Sequence, residues 1–398
     1  MKILLLHQYF NTPNDSGSTR AYEFCKRLAK KGHIVTVITS SRKENINSFK
    51  WYFKKIENIN IYYLPNKYNN KFKFYSRIFS FLRFSFLSIF KVLKFEYDII
   101  IATSTPLTIA IPVLFLLNFK KKKFIFEVRD LWPEMPIVVG AIKNKFLIKI
   151  LKIFEKKVYT TASKIICLSP GMKRGVVKCG ISVKKTIIIP NSCDFEIFDN
   201  KNFYNKELDK KYGYLFNSKT ILYAGTLGKI NGVNYLIEIA KHFKQNNNIK
   251  IIIVGDGIEK EIIRNNAIKS SLLNKNVFIF DQINKTEIVH FFRNCTISSS
   301  IFVDIKEMWS NSANKYFDTM AAKKPIIINY LGWHASLIKR YKTGFIIPPN
   351  NSEQAAELIF EKIFNEKLIL EMGQNNYNLG KNFFDRDALY KKFEKCII

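Results

Sequence analysis

Short runs of β-branched and aliphatic residues alternate with amphipathic helical stretches along almost the whole chain. The first run, 2–6, reads as a strand. Residues 19–31 then place Ala21, Phe24, Cys25, Leu28 and Ala29 on one helical face, and Gly32 stops the helix before a second strand at 34–39. Strands at 98–102, 123–128, 165–168 and 186–190 follow, separated by helices at 106–118, 146–161 and 170–178. A polar stretch rich in Asn, Asp and Lys, 191–219, interrupts the rhythm. It resumes with strands at 221–225, 251–255, 277–280, 296–299, 325–329 and 344–347, with helices at 233–244, 258–268, 285–293 and 312–322, and helical sequence fills 352 onwards. Such repetition demands parallel strands covered by helices on both faces. The expected fold class is therefore α/β: two tandem Rossmann-like, doubly wound domains facing across a cleft. We place the first at 1–195 and the second at 215–380, with a last helix at 381–398 crossing back to the first domain.

In such sheets ligands gather at the C-terminal ends of the strands, so the loops there are where chemistry is sought. After the first strand, Asp15-Ser16-Gly17-Ser18-Thr19-Arg20 leads into a helix. Gly17 there lets backbone amides approach a phosphate or sugar; a plain helix cap by Ser16 or Ser18 is the alternative. The segment is not GxGxxG, and no acid closes the second strand, which argues against a nicotinamide dinucleotide. Gly225-Thr226-Leu227-Gly228-Lys229-Ile230-Asn231-Gly232 repeats the strand–glycine–helix design, with Lys229 placed to neutralise a diphosphate. A glycine-rich turn with a solvated lysine fits the same residues. No Gly-Lys-Ser/Thr ends it, which argues against a P-loop NTPase.

Glu127-Val128-Arg129-Asp130-Leu131-Trp132-Pro133-Glu134 crowds four charges around the end of an apolar strand. Asp130 is the candidate catalytic carboxylate, with Arg129 and Glu134 beside it on the acceptor side; an Arg129–Asp130 structural ion pair is the bland alternative. Between a strand and a helix of the second half lie Glu307, Asn314, Lys315 and Asp318. Lys315 at a helix start suits a phosphate, and Asp318, three residues on, suits ribose hydroxyls. A surface helix with an ion pair is again the alternative.

Charge narrows the partners. The chain carries 64 Lys+Arg against 32 Asp+Glu, net +32. Residues 1–200 hold 35 basic and 13 acidic side chains, so +22 of that excess lies in the first half. Within it, 75–94 interleaves aromatic residues with Arg77, Arg83, Lys91 and Lys94, as a helix on an anionic bilayer would; a buried domain helix is the alternative. No apolar run reaches the ~20 residues needed to span a membrane. RNP aromatics, zinc-finger spacing and a recognition-helix signature are missing, which argues against nucleic acid despite the charge. The six cysteines and five histidines form no metal-ligand pattern, so no metal is expected, and reduced thiols indicate a cytoplasmic setting.

At these motifs the chain resembles the family 4 glycosyltransferases of the GT-B fold. The resemblance rests on the Gly17 loop, Lys31-Gly32-His33-Ile34-Val35-Thr36-Val37, Ile189-Pro190-Asn191, Tyr223-Ala224-Gly225, Ile253-Val254-Gly255-Asp256-Gly257 and Phe317-Asp318-Thr319-Met320-Ala321-Ala322-Lys323-Lys324-Pro325. Arg129-Asp130-Leu131-Trp132-Pro133-Glu134 with Asn314-Lys315 looks most like the bacterial surface-polysaccharide branch, including O-antigen transferases of N-acetylfucosamine. The resemblance implies retaining, metal-independent transfer from a UDP-sugar to a lipid-linked, polyprenyl-diphosphate glycan at the inner face of the cytoplasmic membrane, with no cofactor. It places Gly17, Gly225, Asn314 and Asp318 at the donor, with Lys229 and Lys315 replacing the family's Arg and Lys, which fall near Thr226 and Asn231; Arg129 and Glu134 go to the acceptor, and Asp130 and Glu307 to catalysis. The chain departs from the pattern at Ser310, where the first of the family's paired acids falls, with Glu307 as substitute at a different spacing. Arg129 replaces the family's histidine. A nucleotide-sugar epimerase on the same scaffold is the rival enzyme; it needs no lipid acceptor, and the basic, aromatic first half disfavours it.

Overall fold

In the computed structural model, which describes residues 1–15, 17–41, 50–66, 72, 74–119, 122–199, 206–245 and 248–398, fourteen strands form two sheets. The chain divides into two units. The first comprises Met1–Thr12, Thr19–Pro190 and Leu389–Ile398; the second comprises Pro13–Ser18 and Asn191–Ala388.

The first unit holds β1 (Lys2–Leu6), β2 (Ile34–Ser41), β3 (Tyr52–Ile56), β4 (Ile59–Pro65), β5 (Ile99–Thr103), β6 (Lys123–Val128), β7 (Lys164–Cys167) and β8 (Thr186–Ile188). Their order is β3-β4-β2-β1-β5-β6-β7-β8. All neighbours are parallel except β3 and β4, which form a hairpin that the alternation did not announce. Its two turn residues, Glu57 and Asn58, both take positive φ (49° and 63°), the twist that favours a two-residue hairpin.

Strand period two explains why β1 is apolar throughout. Leu4 and Leu6 face a layer containing Phe84, Val113, Leu116, Val158 and Tyr159, from helices Phe74–Val92, Ala110–Leu117 and Lys145–Thr161. Ile3 and Leu5 face the other layer, where Phe24 and Leu28 of helix Arg20–Lys30 meet Leu389, Tyr390 and Phe393. Arg20, 3% exposed, ties this layer to the sheet. Its Nε pairs with Glu127 at 3.0 Å, and its other nitrogens donate to the carbonyls of Ile189 and Pro190.

The second unit holds β9 (Lys219–Ala224), β10 (Ile249–Val254), β11 (Val277–Phe280), β12 (Ile297–Ser300), β13 (Ile326–Ile328) and β14 (Gly344–Ile346), all parallel, in the order β11-β10-β9-β12-β13-β14. Strand order therefore reverses beside the first strand of each sheet, between β1 and β5 and between β9 and β12. Those are the switch points where doubly wound sheets open a crevice. Helices Lys206–Tyr212 and Trp333–Tyr341, also unannounced, complete the unit. Among the described residues no helix is long and apolar enough to cross a membrane.

Candidate active site

In the second unit, glycines let loops pass one another at backbone distance. Gly225, at the end of β9, has φ +155°, and a Cβ on Gly255 would sit 1.9 Å from its carbonyl oxygen. A Cβ on Gly257 would sit 2.3 Å from the carbonyl oxygen of Leu227. The two turns are joined by Gly225 N–H to Val254 O (2.9 Å) and Leu227 N–H to Asp256 O (3.0 Å). Tyr223 braces the turn from below through its hydroxyl, which donates to Thr226 O at 2.9 Å.

Lys315 enters this glycine shelf from helix Asn314–Ala321. Its Nζ lies 3.7 Å from the Tyr223 ring centroid and 2.9 Å from where a Cβ on Gly225 would be. The residue is 8% exposed and, among the described residues, has no ion-pair partner. Burial drives its pKa from 10.5 down to about 7. A buried ammonium without an anion, at the switch-point end of β9, is what an anionic ligand would complete.

Asp318 shares the helix but not this contact. Its Oδ1 is 2.5 Å from Lys285 Nζ on helix Lys285–Asn294, both side chains being largely buried. The helical face expected to carry Lys315 and Asp318 together thus splits between two partners. Asn314 Oδ1 accepts from the Ser18 hydroxyl at 3.4 Å, which brings the exposed Gly17 turn (φ +112°) to the same helix start. The helix cap expected of Ser18 is not made: Thr19 is the cap residue of Arg20–Lys30 and offers no side-chain bond, and Ser16 lies outside the described residues. Lys229 is exposed in the turn Lys229–Asn231. Glu307 is half-buried in the turn Lys306–Ser310, and among the described residues no bond joins it to Lys315, Lys229 or Asp318.

The first unit presents a different cluster at the ends of β1, β5 and β6. Asp130 Oδ2 accepts from the Thr105 hydroxyl at 2.7 Å. Asp130 is exposed, yet the protein atoms packed around its carboxyl raise its pKa by desolvation. The Thr105 hydrogen bond and the Arg129 charge pull the other way, and one edge stays open to solvent. Among the described residues Arg129 does not pair with Asp130. Its Nη1 donates to His7 Nε2 at 3.2 Å, and its backbone N–H donates to the Ser104 hydroxyl at 2.9 Å. His7 and Thr105 were missed as site members; their only sequence signal is their position just past a strand end. Glu134 is exposed, and its charge acts on Glu155 and Cys179. Glu127 is taken by Arg20 and Thr103, so it braces the fold rather than facing a substrate.

Lys315 and Asp130 each lie within a stretch that matches a known family. Residues 17–197 match the model described as Glycosyltransferase Family 4, and residues 205–379 match Glycosyl transferases group 1. These two adjacent glycosyltransferase matches together cover most of the chain, and its fold is GT-B. The chain is 26% identical over 268 residues to an uncharacterised glycosyltransferase of Methanocaldococcus jannaschii, covering 66% of this chain and 63% of that one. A second from the same organism is 22% identical over 198 residues, 48% of this chain and 49% of its own. The chain thus spans 63% and 49% of the length of these curated relatives. Among solved structures, sucrose-phosphate synthase of Thermosynechococcus elongatus aligns with TM-score 0.78 at 14% identity, covering 100% of this chain and 98% of that one. HepE of Anabaena, in complex with UDP and glucose, aligns with TM-score 0.71 at 14% identity, covering 100% and 99%. At these identities the likeness is one of fold.

Proposed function

We propose that this glycosyltransferase moves a sugar from a nucleotide-sugar donor, a UDP-sugar, to a lipid-linked glycan at the inner face of the cytoplasmic membrane, in the synthesis of a surface polysaccharide. The observation that carries the reading is Lys315, a buried ammonium with no ion-pair partner among the described residues, against the Gly225 turn. A diphosphate supplies the missing anion, and the segment lies within the stretch matching glycosyl transferases group 1. The structural neighbour from Anabaena, solved with UDP and glucose and with UDP-glucose, supports the same ligand class.

On this reading the reaction is a front-face substitution. The acceptor hydroxyl attacks the anomeric carbon on the face from which the diphosphate departs, so configuration is retained. The bond from that carbon to the diphosphate oxygen breaks, and its electron pair stays with the diphosphate. Lys315, Lys229 and the amides at the start of helix Asn314–Ala321 stabilise the charge that develops there. Asp318 and Asn314 orient the nucleotide and sugar. Asp130, held by Thr105, positions the acceptor hydroxyl and takes its proton; Arg129 and Glu134 serve the acceptor side, and Glu307 the transferred sugar. The sugar we favour is an N-acetylated deoxyhexosamine such as N-acetylfucosamine, on the strength of the Arg129–Glu134 motif.

The test is turnover of a panel of UDP-sugars with undecaprenyl-diphosphate-linked acceptors, beside UDP titration of the parent and of Lys315→Ala. Loss of UDP affinity by at least about tenfold is expected, the lower end for a charge-assisted bond. Unchanged affinity would remove Lys315 from the donor site.

A further inference from the structure

Two helices of the first unit are apolar on the wrong side. Helix Phe74–Val92 buries Phe84, Ser88 and Val92 against the sheet. Opposite them, at steps of three and four, Tyr75, Phe79, Leu82, Phe86 and Phe90 stand out in solvent, with Tyr75 83% and Phe79 68% exposed. Helix Lys145–Thr161 does the same. Glu155, Val158 and Tyr159 face inward, while Phe146, Ile150 and Ile153 point directly away, Phe146 73% exposed. Between them lies helix Ala110–Leu117, which packs against both and leaves Phe115 partly open. A solvated helix needs no second apolar face, so the repetition on neighbouring helices of one layer marks a docking surface.

The charge around the surface selects the occupant. Helices Phe74–Val92 and Ala110–Leu117 contain no Asp or Glu, and the one acid of Lys145–Thr161, Glu155, is buried. Lys145, Lys149, Lys152 and Lys156 form an exposed row along one flank of the outward apolar ridge. We infer that this three-helix face lies on an anionic bilayer, its aromatic and aliphatic ridges in the headgroup–acyl boundary and its lysine row on acidic headgroups. A second copy of the chain fits poorly, because a two-fold contact would set lysine row against lysine row. The inference deepens the lipid-linked-acceptor reading above and rests on it.

It also revises the expected role of three of the four bases named in 75–94, Lys94 remaining exposed. Arg83 donates to Pro65 O and Asn66 Oδ1, Arg77 to Phe72 O, and Lys91 sits 4.3 Å over the Tyr62 ring. These bases hold the helix to its own unit. The lipid contact falls to the ridges and to the lysines of the neighbouring helix.

Sedimentation of the full chain with phosphatidylcholine vesicles, with and without phosphatidylglycerol, tests this. The parent is expected to pellet with the phosphatidylglycerol vesicles. Phe79→Ser with Phe86→Ser, and separately Ile150→Ser with Ile153→Ser, should each weaken partitioning by about tenfold or more without lowering the melting temperature. Lys149→Gln with Lys152→Gln and Lys156→Gln should abolish the preference for the anionic lipid. A parent that stays in the supernatant, or serine variants that pellet like the parent, overturns the proposal. So does a dimer in light scattering that the Phe79→Ser, Phe86→Ser variant dissolves, since the occupant would then be a second copy. Lys315→Ala should lose UDP and keep its vesicles, so failure of the donor reading and failure of this surface are read separately.

Discussion

At Lys315 the surroundings work against the charge: the Tyr223 and Phe302 rings lie over the ammonium, and no acid of the described residues pairs with it. Depressing its pKa to about 7 means the folded chain resists a proton that a free lysine would hold up to about 10.5. As pH falls from 10.5 towards 7, this group therefore disfavours folding. Lys315→Met should raise the melting temperature at pH 7 and change it little near pH 10.5, while removing UDP-sugar binding. Ligand linkage runs the other way. A diphosphate favours the protonated ammonium, so the parent's affinity should fall as pH rises through about 7, with proton uptake on binding. The methionine variant should lose that slope; calorimetry in buffers of different ionisation heat checks both. Asp130 makes a second residue-level test. Asp130→Asn keeps the shape and the Thr105 contact but loses the base. Turnover should drop by ~10²–10⁴ with UDP affinity unchanged. Full turnover per folded molecule would leave Asp130 a structural residue.

Elements explain why those side chains stand where they do, and which were readable beforehand. Gly255→Ala would drive a methyl into the Gly225 carbonyl at 1.9 Å, backbone against backbone. Thermal unfolding should show a loss of at least ~1–3 kcal/mol, and UDP titration should weaken as the shelf shifts. An unchanged melting temperature would mean the turn gives way freely. The parallel strands and most helices were legible because burial on both faces leaves long apolar runs with sharp glycine stops. The β3–β4 hairpin was not: Tyr52–Ile56 is an edge strand whose middle residues are exposed, and Glu57–Asn58 turns without glycine. Helix Trp333–Tyr341 likewise ends on Lys342 in the left-handed region, so no glycine marks its stop. Of the candidate site, Lys315 was singled out by its place at a helix start after a strand, and Asp130 by its place just past an apolar strand. The contacts around them were not legible: Thr105 meets Asp130, His7 meets Arg129 and Lys285 meets Asp318 only through sheet order and helix packing.

The whole molecule is held by contacts far apart in sequence. Phe393 sits 4.7 Å from the Phe24 ring in the core of the first unit. Phe393→Ala should cost about 3–5 kcal/mol, seen as a lower melting temperature of that unit, while UDP affinity, proposed to rest on residues of the second, should stay near the parent's. A surface role for the last helix would leave the melting temperature unmoved. The same arrangement sets a clock during synthesis. The first unit is interrupted at Pro190 and resumes at Leu389, so about 200 residues are made before its last piece emerges. At ~5–20 residues per second that interval is roughly 10–40 s. Throughout it, the nascent first unit carries an open apolar trough over Phe24 and Leu28. A holding chaperone that recognises exposed aromatic surface therefore has a defined window on the ribosome, and the window closes when Tyr390 and Phe393 seat themselves.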